Sequence, residues 1–148
     1  MHMEVKTILL AEDNLNDVEL TLSALEDLNI ANKVVVVHDG VEALQYLRLE
    51  GEYKERLEGN PGVVLLDIKM PRMDGIEVLK TIRQDPNLKK IPVVMLTSSR
   101  EENDLVRTYE MGVNAYVVKP VDFSQFVDAV KQLGIFWALV NEVPNKYS

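Results

Sequence analysis

Two acids stand together at Glu12-Asp13, a third at Asp67, hydroxyls at Thr97, Ser98 and Ser99, and an ammonium at Lys119 beside Pro120. Each group sits at the end of a short apolar run. Brought to one place, three carboxylates repel, and a buried set is tolerable only when protons or a cation offset the charge. A hard divalent ion is the economical answer. Mg2+ takes oxygen ligands, keeps several waters, and binds one or two carboxylates together with phosphate oxygens. Metal, carboxylate, hydroxyl and lysine are together the parts of phosphoryl transfer, in which the protein positions groups and neutralises charge. Asp67 is then the candidate nucleophile, since carboxylates accept phosphoryl groups as aspartyl phosphates. Lys119 and Thr97 are candidates to hold the added oxygens, by charge-assisted and neutral hydrogen bonds respectively.

The elements that must position these groups are legible as five apolar runs: Thr7 to Ala11, Val34 to Val37, Val63 to Leu66, Val93 to Leu96 and Ala115 to Val118. They do not alternate, as expected of strands buried on both faces of a parallel sheet. After each comes a helix-start spacing, cap-x-x-acid or amide: Asn16 with Glu19, Asp39 with Glu42, Asp74 with Glu77, Ser98 with Glu101, and Asp122 with Gln125. In each the first side chain can satisfy an orphan amide of the new helix. The following stretches carry core stripes, such as Val18, Leu22, Leu25 and Leu28, then Ile76, Leu79 and Ile82. Leu49 to Gly62, with its glycines, proline and charges, reads as a long exposed connection. Asp85-Pro86-Asn87 ends the third helix, and Pro92 opens the fourth strand without needing its missing amide.

Five strand-helix units joined by right-handed crossovers give an α/β fold: a flavodoxin-like, doubly wound, five-stranded parallel sheet of order 2-1-3-4-5 with five flanking helices. Ligands bind such sheets beyond the carboxyl ends of the strands, where strand order reverses, here between the first and third strands. Glu12, Asp13 and Asp67 converge there, with Thr97 and Lys119 on the same rim.

Composition narrows the class. At 148 residues, 47% hydrophobic and 27% charged, the chain reads as one globular domain spanning 1–148, with a core from about 5 to 133 and an extension of the last helix and tail at 134–148. With 24 acidic against 16 basic residues and a net charge of −8, it lacks the basic face of a phosphate-backbone reader, so no nucleic-acid partner is expected. There is no cysteine, hence no disulfide or thiolate metal site. No apolar run reaches the ~18 residues of a membrane span, and no signal-peptide core opens the sequence; the expectation is a cytoplasmic protein without membrane contact. His2 and His38 have neither metal-ligand spacing nor a nucleophile partner.

Taken together, Glu12-Asp13, Asp67, the K-M-P-x-M-D-G loop from Lys69 to Gly75, Thr97-Ser98 and Lys119-Pro120 resemble the receiver domain of two-component response regulators. The resemblance implies transfer of a phosphoryl group from a phosphohistidine on a sensor histidine kinase to Asp67. It implies Mg2+ held by Asp13, Asp67 and the backbone carbonyl of Lys69, with Glu12 acting through water. It implies a cis Lys119-Pro120 bond, which X-Pro permits at modest cost. It also implies a switch in which Thr97 moves toward the phosphoryl group and Tyr116 rotates inward, a bistable pair biased by new charge. Lys69 and Ser99 sit where the family varies.

The tail carries a second resemblance. Phe126, Val130, Leu133 and Trp137 lie at helical spacing and are expected to pack inward, leaving Ile135, Phe136, Leu139 and Val140 as an apolar surplus of the kind that marks a partner face. The F-W-x-L-V-N-E-x-P ending and the long loop before the third strand look like the single-domain regulators of bacterial and cyanobacterial phytochromes. That resemblance implies a bacteriophytochrome-type kinase as partner and a homodimer through the last helix and fifth strand. Other classes fit less well. A dehalogenase-type phosphatase needs a second Asp two positions after the first, where Lys69 stands, and Glu12-Asp13-Asn14 would repel the phosphate of a flavin or nucleotide. A degenerate receiver that only binds a protein partner is the remaining alternative, opposed by intact Asp67, Thr97 and Lys119.

Overall fold

A computed structural model describes residues 7–27, 33–57, 59–97, 112–113, 115–119 and 121–133. Five parallel strands form one sheet in the order β2-β1-β3-β4-β5. They are β1 (Ile8–Ala11), β2 (Val34–Val37), β3 (Val63–Asp67), β4 (Val93–Thr97) and β5 (Ala115–Val118). The helices among the described residues are α1 (Leu15–Asp27), α2 (Gly40–Arg48), α3 (Gly75–Gln84) and α4 (Phe123–Leu133), with a short 3-10 turn at Gly51–Tyr53. The strand order is the expected one. The helix anticipated from Ser98 and Glu101 lies outside the described residues, as do Leu28, Trp137 and the side chains of Val130 and Leu133.

Continuous apolar strands bury both faces of this sheet, because successive side chains point to opposite sides. Leu9, Ala11, Val64, Leu66, Val93 and Met95 join Ala43, Leu47, Ile76, Leu79 and Ile82 in the layer under α2 and α3. Ile8, Leu10, Val63, Leu65, Val94 and Leu96 join Val18, Leu25, Phe126 and Ala129 under α1 and α4. The Val18 and Ile76 stripes therefore face the sheet as expected. Each fully buried Leu or Ile contributes roughly 1.5–3 kcal/mol of transfer free energy.

Three of the expected caps form: Asp39 accepts from the Glu42 amide at 2.8 Å, Asp74 from Glu77 at 2.9 Å and Asp122 from Gln125 at 2.8 Å. The first cap is corrected. Asn14, not Asn16, opens α1, its Oδ1 accepting from the Asp17 amide at 3.0 Å. The chain turns sooner after β1 than the Asn16–Glu19 spacing suggests, and this moves Asp17 into the first turn.

The connection from Leu49 to Gly62 is also less open than its composition suggests. Arg56 donates to the Tyr46 carbonyl at 3.1 and 2.8 Å and lies 4.1 Å over the Tyr46 ring. Tyr53 packs edge-on against Tyr46 and donates its hydroxyl to Glu42 at 2.8 Å. The loop is thus pinned to α2 by one guanidinium and one phenol. Arg83 donates to the carbonyls of Lys89 and Ile91, before β4, and of Gly112, before β5, tying two connections to α3.

Candidate functional site

Strand register assembles the site. Ala11 pairs with Leu66, so Glu12 and Asp67 follow side by side; Asp67 pairs with Leu96 and Thr97 with Val118, which brings Thr97 and Lys119 to the same rim. Asp67 and Thr97 lie within their strands rather than beyond them, and both are buried. That places each on rigid backbone: the Lys119 amide donates to the Thr97 carbonyl at 2.7 Å and the Ile68 amide to Leu96 at 3.2 Å.

Carboxylate oxygens of Glu12, Asp13 and Asp67 all lie within 4.8 Å of one another. Glu12 is fully buried, Asp67 is 4% exposed and Asp13 faces solvent. Glu12 accepts from the Asn14 amide at 3.1 Å through one oxygen and from Lys119 Nζ at 2.9 Å through the other. The same ammonium lies 2.9 Å from Asp17 Oδ2 and 3.2 Å from Asp67 Oδ1. Three carboxylates therefore share one ammonium, with Asp13 beside them.

The electrostatics follow. Burial pushes the Asp67 carboxyl up to about 7, the Glu12 charge adds to it, and Lys119 only partly opposes the rise. Burial works against the Lys119 charge, but its bonds to Asp17 and Glu12 and the Asp67 charge outweigh it and hold the ammonium above the ordinary lysine range. One lysine thus does not neutralise the group. An all-oxygen cluster with one exposed member and surplus negative charge fits a hard divalent cation that keeps part of its water.

The backbone around Asp67 is crowded. A Cβ on Gly75 would fall 2.1 Å from the Asp67 carbonyl oxygen, and the Gly75 amide donates to Ile68 at 2.8 Å, so α3 begins hard against the Asp67 peptide. In the intervening loop Lys69 is exposed and Arg72 adopts φ +66°. Arg72 reaches Asp39, the cap of α2, with Nε 2.9 Å from Oδ2 and Nη2 3.2 Å from Oδ1.

The structure therefore brings together Glu12, Asp13, Asp67 and Lys119, with Thr97 one strand away. Tyr116 lies opposite Met95, half-buried against the core under α2 and α3. Glu12 bonds Lys119 directly, a contact the expected water-mediated role did not include. His38 is exposed, its ring 3.8 Å from Glu42. Pro120, Ser98, Ser99, Ile135, Phe136, Leu139 and Val140 lie outside the described residues. Sequence reasoning missed Asp17 and the Asp39–Arg72 pair. An acid five residues beyond Glu12, in the opening turn of a helix at the switch point, was the available signal for the first.

A family model described as the response regulator receiver domain matches residues 8–131. "Response regulator Rcp1" of Synechocystis sp. is 38% identical over 132 residues, covering 89% of this chain and 88% of that protein. A structure of Rcp1 described as its Mn(2+)-bound form has a TM-score of 0.75 at 36% identity, over 95% of this chain and 99% of that one. The bacteriophytochrome response regulator AtBRR is 61% identical with a TM-score of 0.86, over 95% of this chain and all of that one. The phosphorylated cyanobacterial phytochrome response regulator RcpA is 42% identical with a TM-score of 0.77, over 96% of this chain and all of that one.

Proposed function

Because this chain belongs to the response regulator receiver family, related to the phytochrome response regulators, we propose that it accepts a phosphoryl group on Asp67 from the phosphohistidine of a sensor histidine kinase. The observation that carries this reading is a buried Asp67 set between a carboxylate cluster and the Lys119 ammonium. In the transfer a carboxylate oxygen of Asp67 attacks phosphorus, the P–N bond breaks, and its electron pair returns to the imidazole, which takes a proton from solvent. Lys119 and Thr97 hold the phosphoryl oxygens, and the strands fix Asp67 in place. Glu12, Asp13, Asp67 and the Lys69 carbonyl would hold Mg2+, which when bound supplies neutralisation of phosphoryl charge. The Mn(2+) of the Rcp1 structure supports a divalent ion of this kind.

Thr97 and Tyr116 form the switch pair in this reading, and Lys119-Pro120 the cis peptide that aims the lysine. The partner kinase is of bacteriophytochrome type, by likeness to AtBRR and RcpA. Residues 1–148 form one domain acting in the cytoplasm, and a homodimer uses the last helix and fifth strand with Ile135, Phe136, Leu139 and Val140. No helix among the described residues is long and apolar enough to cross a membrane.

The test is intact-protein mass after incubation with acetyl phosphate, with and without Mg2+, for the wild type and Asp67→Asn. The expected result is one added phosphoryl group that requires both the ion and Asp67. No addition to the wild type under conditions that label a control receiver, together with no beryllofluoride binding, would sink the reading in favour of a phosphorylation-independent binding module.

A further inference from the structure

An ammonium has three N–H donors and no acceptor. In this site the Lys119 ammonium faces three carboxylates, with Nζ 2.9 Å from Glu12, 2.9 Å from Asp17 and 3.2 Å from Asp67. A phosphoryl oxygen arriving at Asp67 is a fourth acceptor, so one existing partner must yield. Glu12 is the costly one to release. Its side chain is wholly buried, and a buried carboxylate stripped of its cation keeps the full desolvation penalty. Asp67 makes the longest of the three contacts and carries the incoming group, so its share of the ammonium can pass to a phosphoryl oxygen, and any further shift of Lys119 toward that oxygen draws it from Glu12 or Asp17. Asp17 differs from Glu12: its side chain is 25% exposed, so water can replace the ammonium. Its carboxylate is also not engaged in capping α1, since it is the Asp17 amide that bonds Asn14.

We propose that Asp17 is a positioning residue that holds Lys119 in the resting site and releases it when a phosphoryl group forms on Asp67. The hold stabilises the unloaded state alone, so Asp17 sets how readily the site is charged. The inference rests on the receiver reading above.

The experiment is titration with beryllofluoride, a phosphoryl mimic, at saturating Mg2+, on the full chain. The wild type is compared with Asp17→Asn and with Glu19→Gln, which removes an equal charge from an exposed position of the same helix. Asp17→Asn is expected to bind about fivefold more tightly, equivalent to about 1 kcal/mol, with Glu19→Gln within about twofold of the wild type. A role limited to supporting the fold would weaken binding instead. Wild-type binding with Asp17→Asn unchanged or weaker overturns the competition while leaving the receiver reading standing. Equal tightening by both variants also overturns it, since general charge then suffices. Absence of binding in all three proteins overturns both.

Discussion

The guanidinium of Arg72 makes a two-pronged ion pair with Asp39, 33 residues earlier in the chain, and thereby fastens the loop after β3 to the first turn of α2. Gly40 completes the joint: a Cβ there would lie 2.2 Å from the Met73 carbonyl oxygen, so backbone rests directly on backbone. Asp39 serves both sides, because its Oδ1 also accepts the Glu42 amide. Arg72 holds this position with φ +66°, a left-handed conformation that a non-glycine residue adopts at a cost of roughly 1–2 kcal/mol.

The pair and the strain should nearly cancel. Arg72→Gly relieves the left-handed backbone but loses an exposed ion pair worth about 0.2–1 kcal/mol, so its stability in urea is expected within about 1 kcal/mol of the wild type. Arg72→Ala keeps the strain and loses the pair, and is expected to fall below Arg72→Gly. The reverse order would show that the left-handed conformation costs little at this position.

At Asp39 the cap and the pair can be separated. Asp39→Asn retains a capping oxygen and should cost under about 1 kcal/mol, whereas Asp39→Ala should cost about 1–2 kcal/mol. Chemical denaturation of both variants provides the check; equal losses would mean the charge, not the cap, dominates.

Gly75→Ala should be among the most damaging small changes. Its new methyl meets the Asp67 carbonyl, backbone that cannot swing aside, and strain of this kind costs about 1–3 kcal/mol or more. Lower urea stability accompanied by weaker Mg2+ binding is the expected pairing, because the shifted atoms belong to Asp67, a member of the carboxylate cluster. Intact metal affinity in a destabilised variant would separate the two effects.

The raised Asp67 pKa has a definite sign. Folding binds a proton at this carboxyl up to about pH 7, while the unfolded group has its ordinary value of 3.8. Its contribution to metal-free stability is therefore fully present below 3.8 and is lost as pH rises toward about 7, at on the order of 1.4 kcal/mol per unit. Asp67→Asn should flatten that slope and stabilise the metal-free protein at pH 8. Mg2+ binding to the wild type near pH 7 should release part of a proton, seen by calorimetry in buffers of different ionisation enthalpy. A metal-free slope identical in wild type and variant would contradict the assignment.

How much of this was readable in the chain follows from what each signal reports. The strands and the convergence of Glu12, Asp13, Asp67, Thr97 and Lys119 were legible because apolar continuity and parallel crossovers are encoded locally, and register then does the rest. The cap at Asn14 was not, since Asn14 and Asn16 are both able cap residues and only the tightness of the turn after β1 chooses between them. Asp17 and the Asp39–Arg72 pair are contacts between distant segments at side-chain resolution, which no spacing rule reports. The pinning of the Leu49 to Gly62 connection was hidden for the same reason, its charges and glycines matching those of an open loop while Arg56 and Tyr53 turn inward.

The bond from Lys119 to Glu12 spans 107 residues of sequence, and that separation bears on the order of events during synthesis. The pairing of β1 with β3, which sets Glu12 beside Asp67, can form once residue 67 has emerged, long before the ammonium that balances these acids exists. An emerging chain thus passes through a stage in which its acidic cluster is assembled without its own counter-charge. Through that interval protons or a cation from the surroundings must take the place of Lys119. The cluster's charge is thus balanced first from outside the chain and only later from within it.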